Sequence, residues 1–270
     1  MAITTPLPPV ILSFSHHDPC GNAGIQADIE CAASLGCHCT PIVTSLFTKD
    51  TGDVRGYTPI EPDQLIAQAR AVLEDMKVAA IKIGFPGNLE NIQAIHAILQ
   101  DYPEIPVIIE PITHIADRPL AGTLELLRAT EALLLPYALI AATDLHTARD
   151  LAKLGDTVEA CAQEILESGC EHVLICGARN TRDCYESHLY NHQGLVRRYS
   201  WSRINVASQG GSATLTASIA CYVGHQLIVE EAAHQGQNFT RQAISSSRRL
   251  GMGQQTPNRF FWADRNKRDQ

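Results

Sequence analysis

The chain has 270 residues, of which 45% are hydrophobic and 19% are charged, and its formal net charge at pH 7 is −8. This composition supplies a sizeable core, and an acidic chain without a basic block is a poor partner for nucleic acid or an anionic membrane. No apolar run approaches the ~20 residues of a membrane helix, and the start MAITTPLPPVILSF lacks a signal peptide's basic segment and cleavage site, so we expect a cytoplasmic protein.

Apolar runs of strand length alternate with helical patterns through most of the chain. In chain order, we predict a strand at 10–15, helix 23–36, strand 40–48, helix 61–76, strand 79–85, helix 89–102, strand 106–112, a helix over TLELLRATEALLL, strand 138–144, a helix to 155, helix 157–169, strand 172–178, a hairpin around 191–194, and helices 212–226 and 228–250. We expect the tail 262–270 to be frayed.

Repeated strand–helix units with apolar strands predict a mainly parallel sheet covered by helices on both faces, which is a three-layer α/β/α fold. With no long linker, residues 1–270 are expected to form one domain. The nine cysteines are scattered and odd in number, which favours free buried thiols over disulfides. The pair in CHC at 37–39 has no second close Cys/His pair, so structural zinc is disfavoured.

The stretch NVASQGGSATLTASIA at 205–220 contains a glycine turn that leads into an apolar helix. Gly210, Gly211 and Ser212 can present backbone N–H groups to an anion at the positive end of the helix. No Asp, Glu, Cys, His or Lys lies between Ser208 and Cys221, so the turn has no proton acceptor of its own.

A second polar stretch, SHHDPCGNAGIQAD at 15–28, follows the first strand and opens the first helix. Ligands of parallel sheets bind beyond the carboxyl ends of the strands, which places this stretch on the same rim as the glycine turn. Asp18 could accept hydrogen bonds from a ligand, or it could cap its own loop. His16 or His17 could act as a base, although exposed loop histidines are the preferred interpretation.

These stretches resemble the hydroxymethylpyrimidine and hydroxymethylpyrimidine-phosphate kinases of the ribokinase-like superfamily. SHHDPCGNAGIQAD resembles that family's G-x-D-P-S-G-G-A-G-I-Q-A-D, and SLGCHCTPIVTSLFTKDTGDV resembles its next strand and loop. The segment IKIGF resembles K-I-G-M, and the closing GMGQQTPNRFF resembles G-x-G-x-x-P-hydrophobic-x-H-F. The resemblance implies a ribokinase-like fold, ATP and Mg²⁺ as cofactors, a pyrimidine or related anionic ligand, and a homodimer.

The resemblance also implies site residues, several of which are substituted. The anion hole falls on Gly210, Gly211 and Ser212, and the usual base position is occupied by Ala213, which cannot accept a proton. The implied substrate-binding positions are Asp18, Asn22, Lys49 and Phe85; the nucleotide-side positions are Asp144, Thr147 and Cys176; and the metal-side acids are Glu110 and Asp144.

Two of these substitutions change the expected chemistry. Lys49 stands where the family has a ring-reading Gln; it is either a solvated surface charge or a contact for an anionic ligand. Cys176 stands where a lysine is usual and carries no fixed charge. Glu110, Asp144, Ser212 and Arg179 lie on or near the predicted rim and could replace missing groups. Two functions therefore stay open: ATP-dependent phosphoryl transfer to a pyrimidine hydroxymethyl group or its phosphate, and ligand binding by a catalytically impaired homologue.

Overall fold

The computed structural model describes residues 7–112, 114–115, 118–119 and 122–265. The strands are β1 (Val10–His17), β2 (His38–Lys49), β3 (Val54–Pro59), β4 (Val78–Ile83), β5 (Val107–Ile109), β6 (His114–Ile115), β7 (Arg118–Pro119), β8 (Ala138–Asp144), β9 (His172–Asn180), β10 (Cys184–Asn191) and β11 (Gly194–Ser202). The helices are α1 (Gly24–Ser34), α2 (Pro62–Asp75), α3 (Leu89–Asp101), α4 (Thr123–Leu133), α5 (Leu145–Leu151), α6 (Val158–Glu167), α7 (Gly211–Gly224), α8 (Val229–Ser245) and α9 (Phe261–Arg265), with a 3₁₀ turn at Leu135–Tyr137.

One sheet of nine strands runs through the molecule in the order β11-β10-β9-β8-β5-β4-β1-β2-β3. Its central strands, from β9 to β2, pair in parallel, whereas β3, β10 and β11 pair antiparallel at the two ends. The carboxyl ends of the parallel strands therefore lie along one rim, as the predicted βα units require.

Alternate residues of the central strands feed two hydrophobic cores on opposite faces of the sheet. Leu12 and Ile81 belong to the core beneath α2–α6, whereas Ile11 and Ala80 belong to the core beneath α7 and α8. This arrangement confirms the predicted three-layer α/β/α class, because strands buried on both faces need helices on each side.

Two of the helices that leave the rim, α3 and α5, begin at side-chain caps. Asn88 Oδ1 accepts from Asn91 N at 2.9 Å before α3, and Asp144 Oδ1 accepts from Thr147 N at 2.7 Å before α5. Each cap satisfies a backbone donor that the first turn of a helix leaves unpaired. The Asp144 cap also fixes this carboxylate at the end of β8.

Three local predictions were wrong. The last long helix ends at Ser245 rather than 250, because the backbone of Arg248 exchanges two hydrogen bonds with Thr256 in an antiparallel bridge and so leaves the helix. Residues of the predicted frayed tail up to Arg265 form α9, while 266–270 lie outside the described residues. The short strand β3, which contains Gly56, was not predicted.

Other predictions were confirmed. The hairpin at 191–194 joins β10 and β11. All nine cysteines are free, and five of them are buried. In the described part of the chain, no helix has both the length and the apolar character to cross a membrane.

Candidate functional site

The glycine turn before α7 has a conformation that requires glycine. Gly210 has a φ of +97°, and a Cβ built on it would lie 1.7 Å from the Asn22 carbonyl oxygen. The turn and the loop after β1 are therefore in direct backbone contact. The N–H groups of Gly211, Ser212 and Ala213 are the first of a 14-residue helix, where no intrahelical acceptor exists for them. The glycine turn thus lies at the rim of the sheet with backbone donors that the helix leaves unpaired, and anion binding by it stays a prediction.

Two cavities meet at this turn. The first, of about 350 Å³, is mostly apolar and is called the apolar cavity here; Tyr185, Trp201, Leu215 and Ile244 are among its lining residues. The second, of about 280 Å³, is called the polar cavity. Its lining residues include His16, Glu110, Gln209, Gly210 and Ala213. Both cavities share the end of β8 at Ala142, Thr143 and Asp144, together with Ser208, Gly211 and Ser212.

A buried charge cluster lies beside the polar cavity. Lys82 Nζ lies 3.1 Å from Asp28 Oδ1 and 3.5 Å from Glu110 Oε2, and Thr216 Oγ1 donates to the same Glu110 oxygen at 3.3 Å. Burial raises the pKa of Glu110, although the Lys82 ammonium opposes that shift. Burial would lower the pKa of Lys82, but the charges of Asp28 and Glu110 outweigh it and the pKa is raised. Glu110 is therefore a constrained carboxylate at the edge of the cavity.

Lys49 is not a solvated surface charge. Its ammonium is buried and lies 3.0 Å from Asp18 Oδ2 and 3.0 Å from Gln209 Oε1. Asp18 also accepts from the backbone N–H groups of Cys20 at 2.9 Å and Ala23 at 3.0 Å, so it caps its own loop. The structure therefore shows the loop cap for Asp18, and its contact with a ligand stays a prediction.

The expectation that His16 is an exposed loop residue was wrong. His16 belongs to β1, is 4% exposed, and packs its ring 4.5 Å from that of Phe47 and 6.1 Å from that of Phe85. Burial lowers its pKa to about 3, so the imidazole is neutral at physiological pH and a weak base. Phe85 is 1% exposed within the same aromatic cluster.

The other predicted residues divide between the two cavities. Ala213 places its methyl group in the polar cavity, and Thr147 lies beside Asp144 there. Cys176 lines the apolar cavity, where burial raises its pKa to about 12 and keeps the thiol neutral. Arg179 instead pairs with Glu186 at 3.5 Å and is not among the described residues that line either cavity.

Asn22 belongs to the loop that supports the glycine turn. Its side-chain Oδ1 accepts from Thr256 Oγ1 at 3.3 Å. Its carbonyl accepts from the Arg259 guanidinium, which is fully buried and also donates to Thr214 Oγ1 at 2.9 Å. Sequence reasoning missed Arg259, although it lies within the closing segment GMGQQTPNRFF that carried part of the resemblance.

Sequence reasoning also missed Gln209, Trp201 and Arg241. The guanidinium of Arg241 lies 5.1 Å from the centre of the Trp201 ring at the apolar cavity. Only the packing of β11 against the helix α8 brings these two residues together. Gln209 directly precedes the glycine turn, and this adjacency was the one signal that could have found it.

The residues present fit a nucleotide-borne magnesium ion. Glu110 and Asp144 both line the polar cavity, and carboxylate oxygen is the ligand type that Mg²⁺ prefers. In the described ranges, no group of three or more His, Cys, Asp or Glu side chains could hold a metal by itself. Proteins usually bind Mg²⁺ through one or two carboxylates together with nucleotide phosphates. The carboxylates of Glu110 and Asp144 are therefore sufficient only when a phosphate ligand is also present.

The mainly parallel sheet between two layers of helices is a ribokinase-like fold. A solved structure with this fold, the pyridoxal kinase of Staphylococcus aureus in complex with AMP-PCP and pyridoxal, is 22% identical to this chain with a TM-score of 0.84, and the match covers 95% of each chain. The family model for phosphomethylpyrimidine kinase matches residues 18–258, so the chain belongs to that family.

Curated relatives agree with this assignment. The hydroxymethylpyrimidine/phosphomethylpyrimidine kinase of Rhizobium meliloti is 28% identical over 91% of this chain and 94% of its own length. The corresponding kinase of Bacillus subtilis is 25% identical over 92% and 94%. These findings confirm the predicted kinase-like character of the chain.

Proposed function

We propose that this protein binds ATP in the apolar cavity and transfers its γ-phosphoryl group to a hydroxymethylpyrimidine, or to the phosphate of one, in the polar cavity. The observation that carries the proposal is the shared wall: Gly211 and Ser212 of the glycine turn, together with the end of β8, border both cavities. A phosphoryl group held by that turn would lie between a donor on one side and an acceptor on the other, which is the positioning that phosphoryl transfer needs.

The apolar cavity suits a nucleoside. Tyr185 and Trp201 contribute aromatic side chains to its lining, where the Trp201 ring packs against the Arg241 guanidinium at 5.1 Å and the His234 ring at 5.5 Å. Arg241 and Arg203 line the same cavity with positive charge. These arginines supply charge on the side where Cys176 replaces a lysine. The related pyridoxal kinase of Staphylococcus aureus was solved with AMP-PCP, which supports a nucleotide as the ligand on this side.

Each group near the anion turn has a limited role in the reaction. The N–H groups of Gly211, Ser212 and Ala213 would stabilise negative oxygen as it develops. Glu110 and Asp144 would hold magnesium, which would neutralise phosphate charge when bound. Ala213 supplies no base, so proton removal from the attacking hydroxyl would rest on water or on phosphate oxygen. A missing general base typically costs a factor of 10² to 10⁴, and we expect slow turnover.

The methyl group of Ala213 also favours a second candidate, which is ligand binding without turnover. In that case the protein would keep both cavities for a regulatory or scaffolding role. The homodimer implied by the resemblance stays a prediction under either function.

Calorimetry and a phosphorylation assay separate the two functions. Titration with AMP-PCP and Mg²⁺ should show binding that Arg241→Gln weakens by about 10- to 150-fold, since a charge-assisted contact contributes about 1.5–3 kcal/mol. Arg179→Gln is the matched control and should bind as wild type does. ATP with hydroxymethylpyrimidine or its monophosphate should then give a phosphorylated product. Binding of both ligands without product would establish the second function, and absence of nucleotide binding would refute both the nucleotide site and the kinase.

A further inference from the structure

Two buried residues that line the polar cavity carry polar side-chain atoms without hydrogen-bond partners in the described part of the chain. His16 is 4% exposed, and neither of its ring nitrogens has a hydrogen-bond partner among the described residues. Gln209 is 8% exposed, and within the described part of the chain its Nε2 is likewise without a partner. Both residues line the polar cavity. Buried polar groups form hydrogen bonds in most proteins. Two residues with unpaired polar groups in the lining of one cavity therefore indicate a ligand that forms hydrogen bonds with them.

The orientation of the Gln209 amide follows from its neighbour. Lys49 Nζ can only donate, and it lies 3.0 Å from Gln209 Oε1. The amide oxygen is thereby fixed toward Lys49, and Nε2 is left as a donor for another group. Asp18, at 3.0 Å from the same ammonium, neutralises the charge of Lys49. Lys49 therefore positions Gln209 and offers little attraction to an anionic ring.

The His16 ring is held by its aromatic neighbours rather than by hydrogen bonds. Phe47 and Phe85 contact it from two directions, at the interplanar angles of 50° and 84°. A neutral imidazole offers one N–H donor and one acceptor nitrogen. The family pattern G-x-D-P has glycine where this chain has His16, so the side chain adds a polar group to this position.

We propose that His16 and Gln209 recognise the acceptor by hydrogen bonds to the edge of an uncharged heteroaromatic ring. The proposal rests on the proposed function, because it assumes that the polar cavity holds the acceptor. The Gln209 amide donates to a ring nitrogen, and the His16 imidazole pairs with a second nitrogen or an amino group. These two residues, rather than Lys49, thus form the polar contacts with the ring, since the Lys49 ammonium is paired with Asp18.

The test compares two ligands of similar shape in wild type and two variants. Hydroxymethylpyrimidine and benzyl alcohol both carry a hydroxymethyl group, but only the first has ring nitrogens. Calorimetric titration in the presence of AMP-PCP should show that wild type prefers the pyrimidine by tenfold or more. His16→Phe keeps an aromatic ring against Phe47 and Phe85, whereas Gln209→Glu keeps an acceptor for Lys49 but removes the Nε2 donor.

Each variant should lose most of the preference for the pyrimidine while binding AMP-PCP as wild type does. A purely steric effect would weaken both ligands equally and leave the preference intact. His17→Phe, on the same strand, is the matched control and should keep the wild-type preference.

Three results would overturn the inference: wild type without preference, both variants with the wild-type preference, or failure of wild type to bind the pyrimidine. In the last case, AMP-PCP binding shows whether the nucleotide half of the proposed function survives. If His16→Phe does not fold, Gln209→Glu alone decides the question. Pyrimidine preference unchanged in folded Gln209→Glu would then reject the role of the Gln209 donor and with it the proposal.

Discussion

Replacement of Gly210 by alanine tests whether the turn before α7 is held by contact with the loop after β1. A Cβ at this position would lie 1.7 Å from the Asn22 carbonyl oxygen and 2.6 Å from its carbonyl carbon. Backbone atoms cannot move aside as a flexible side chain can, so the turn and the loop must separate. Separation also disturbs the hydrogen bond from Arg259 to the Asn22 carbonyl.

The size of the effect has two parts. Alanine in the left-handed region costs about 1–2 kcal/mol. Loss of the buried contact between Arg259 and the Asn22 carbonyl adds about 1–3 kcal/mol. We therefore expect Gly210→Ala to lower the free energy of unfolding by about 2–5 kcal/mol, which is large for a single substitution. Gly36→Ala is the matched control, because Gly36 has a φ of +72° and a Cβ there would meet no atom within 4 Å. Only the backbone part of about 1–2 kcal/mol applies to that control.

Urea denaturation measures the free energy of unfolding of both variants. Calorimetric titration with AMP-PCP measures whether the turn still binds the nucleotide. Gly210→Ala should bind the nucleotide at least tenfold more weakly, since the N–H groups of the turn are displaced, while Gly36→Ala should bind normally. Equal destabilisation by the two substitutions would refute the steric argument. Normal nucleotide binding by Gly210→Ala would refute the role of the turn.

Three further substitutions test the chemistry of the rim. Ala213→Cys restores a proton acceptor and should raise the phosphorylation rate by about 10²-fold or more. Ala213→Val adds bulk without a base and should not raise the rate. A rate that stays at the wild-type level in Ala213→Cys would argue against this position as the site of the base. Lys49→Met leaves Asp18 buried without its counter-ion and should lower the unfolding free energy, measured in urea, by about 3–5 kcal/mol. Arg55→Met removes one partner of an exposed ion pair and should change the unfolding free energy little. Similar losses from both substitutions would contradict the argument that the pair of Lys49 and Asp18 is buried. Because burial raises the pKa of Glu110 above its ordinary value of 4.5, its contribution to stability is fully present below about pH 4.5 and is lost as the pH rises through the folded-state pKa. Wild type should therefore lose stability relative to Glu110→Gln as the pH rises above about 4.5 in urea denaturation, and parallel curves would contradict the raised pKa.

The sequence by itself determined the layered fold and the position of the anion turn. Consecutive apolar residues such as Ile11 and Leu12 indicate that a strand is covered on both faces, because neighbouring side chains of a strand point to opposite sides. The glycine turn before an apolar helix could likewise be predicted, because the conformation of a turn depends mainly on residues that are close in the sequence. The absence of a base at Ala213 was also readable, since it concerns the identity of one residue.

Only the tertiary structure decided which side chains remain available to a ligand. The Lys49 ammonium could not be assigned from sequence, because its partners Asp18 and Gln209 are 31 and 160 residues away. The burial of His16 depends on Phe47, which comes from β2, and on Phe85, which comes from the loop after β4. Charge and hydrogen bonding act through space, so the same residue types can give a solvated charge, a buried ion pair or a ligand contact according to what packs against them.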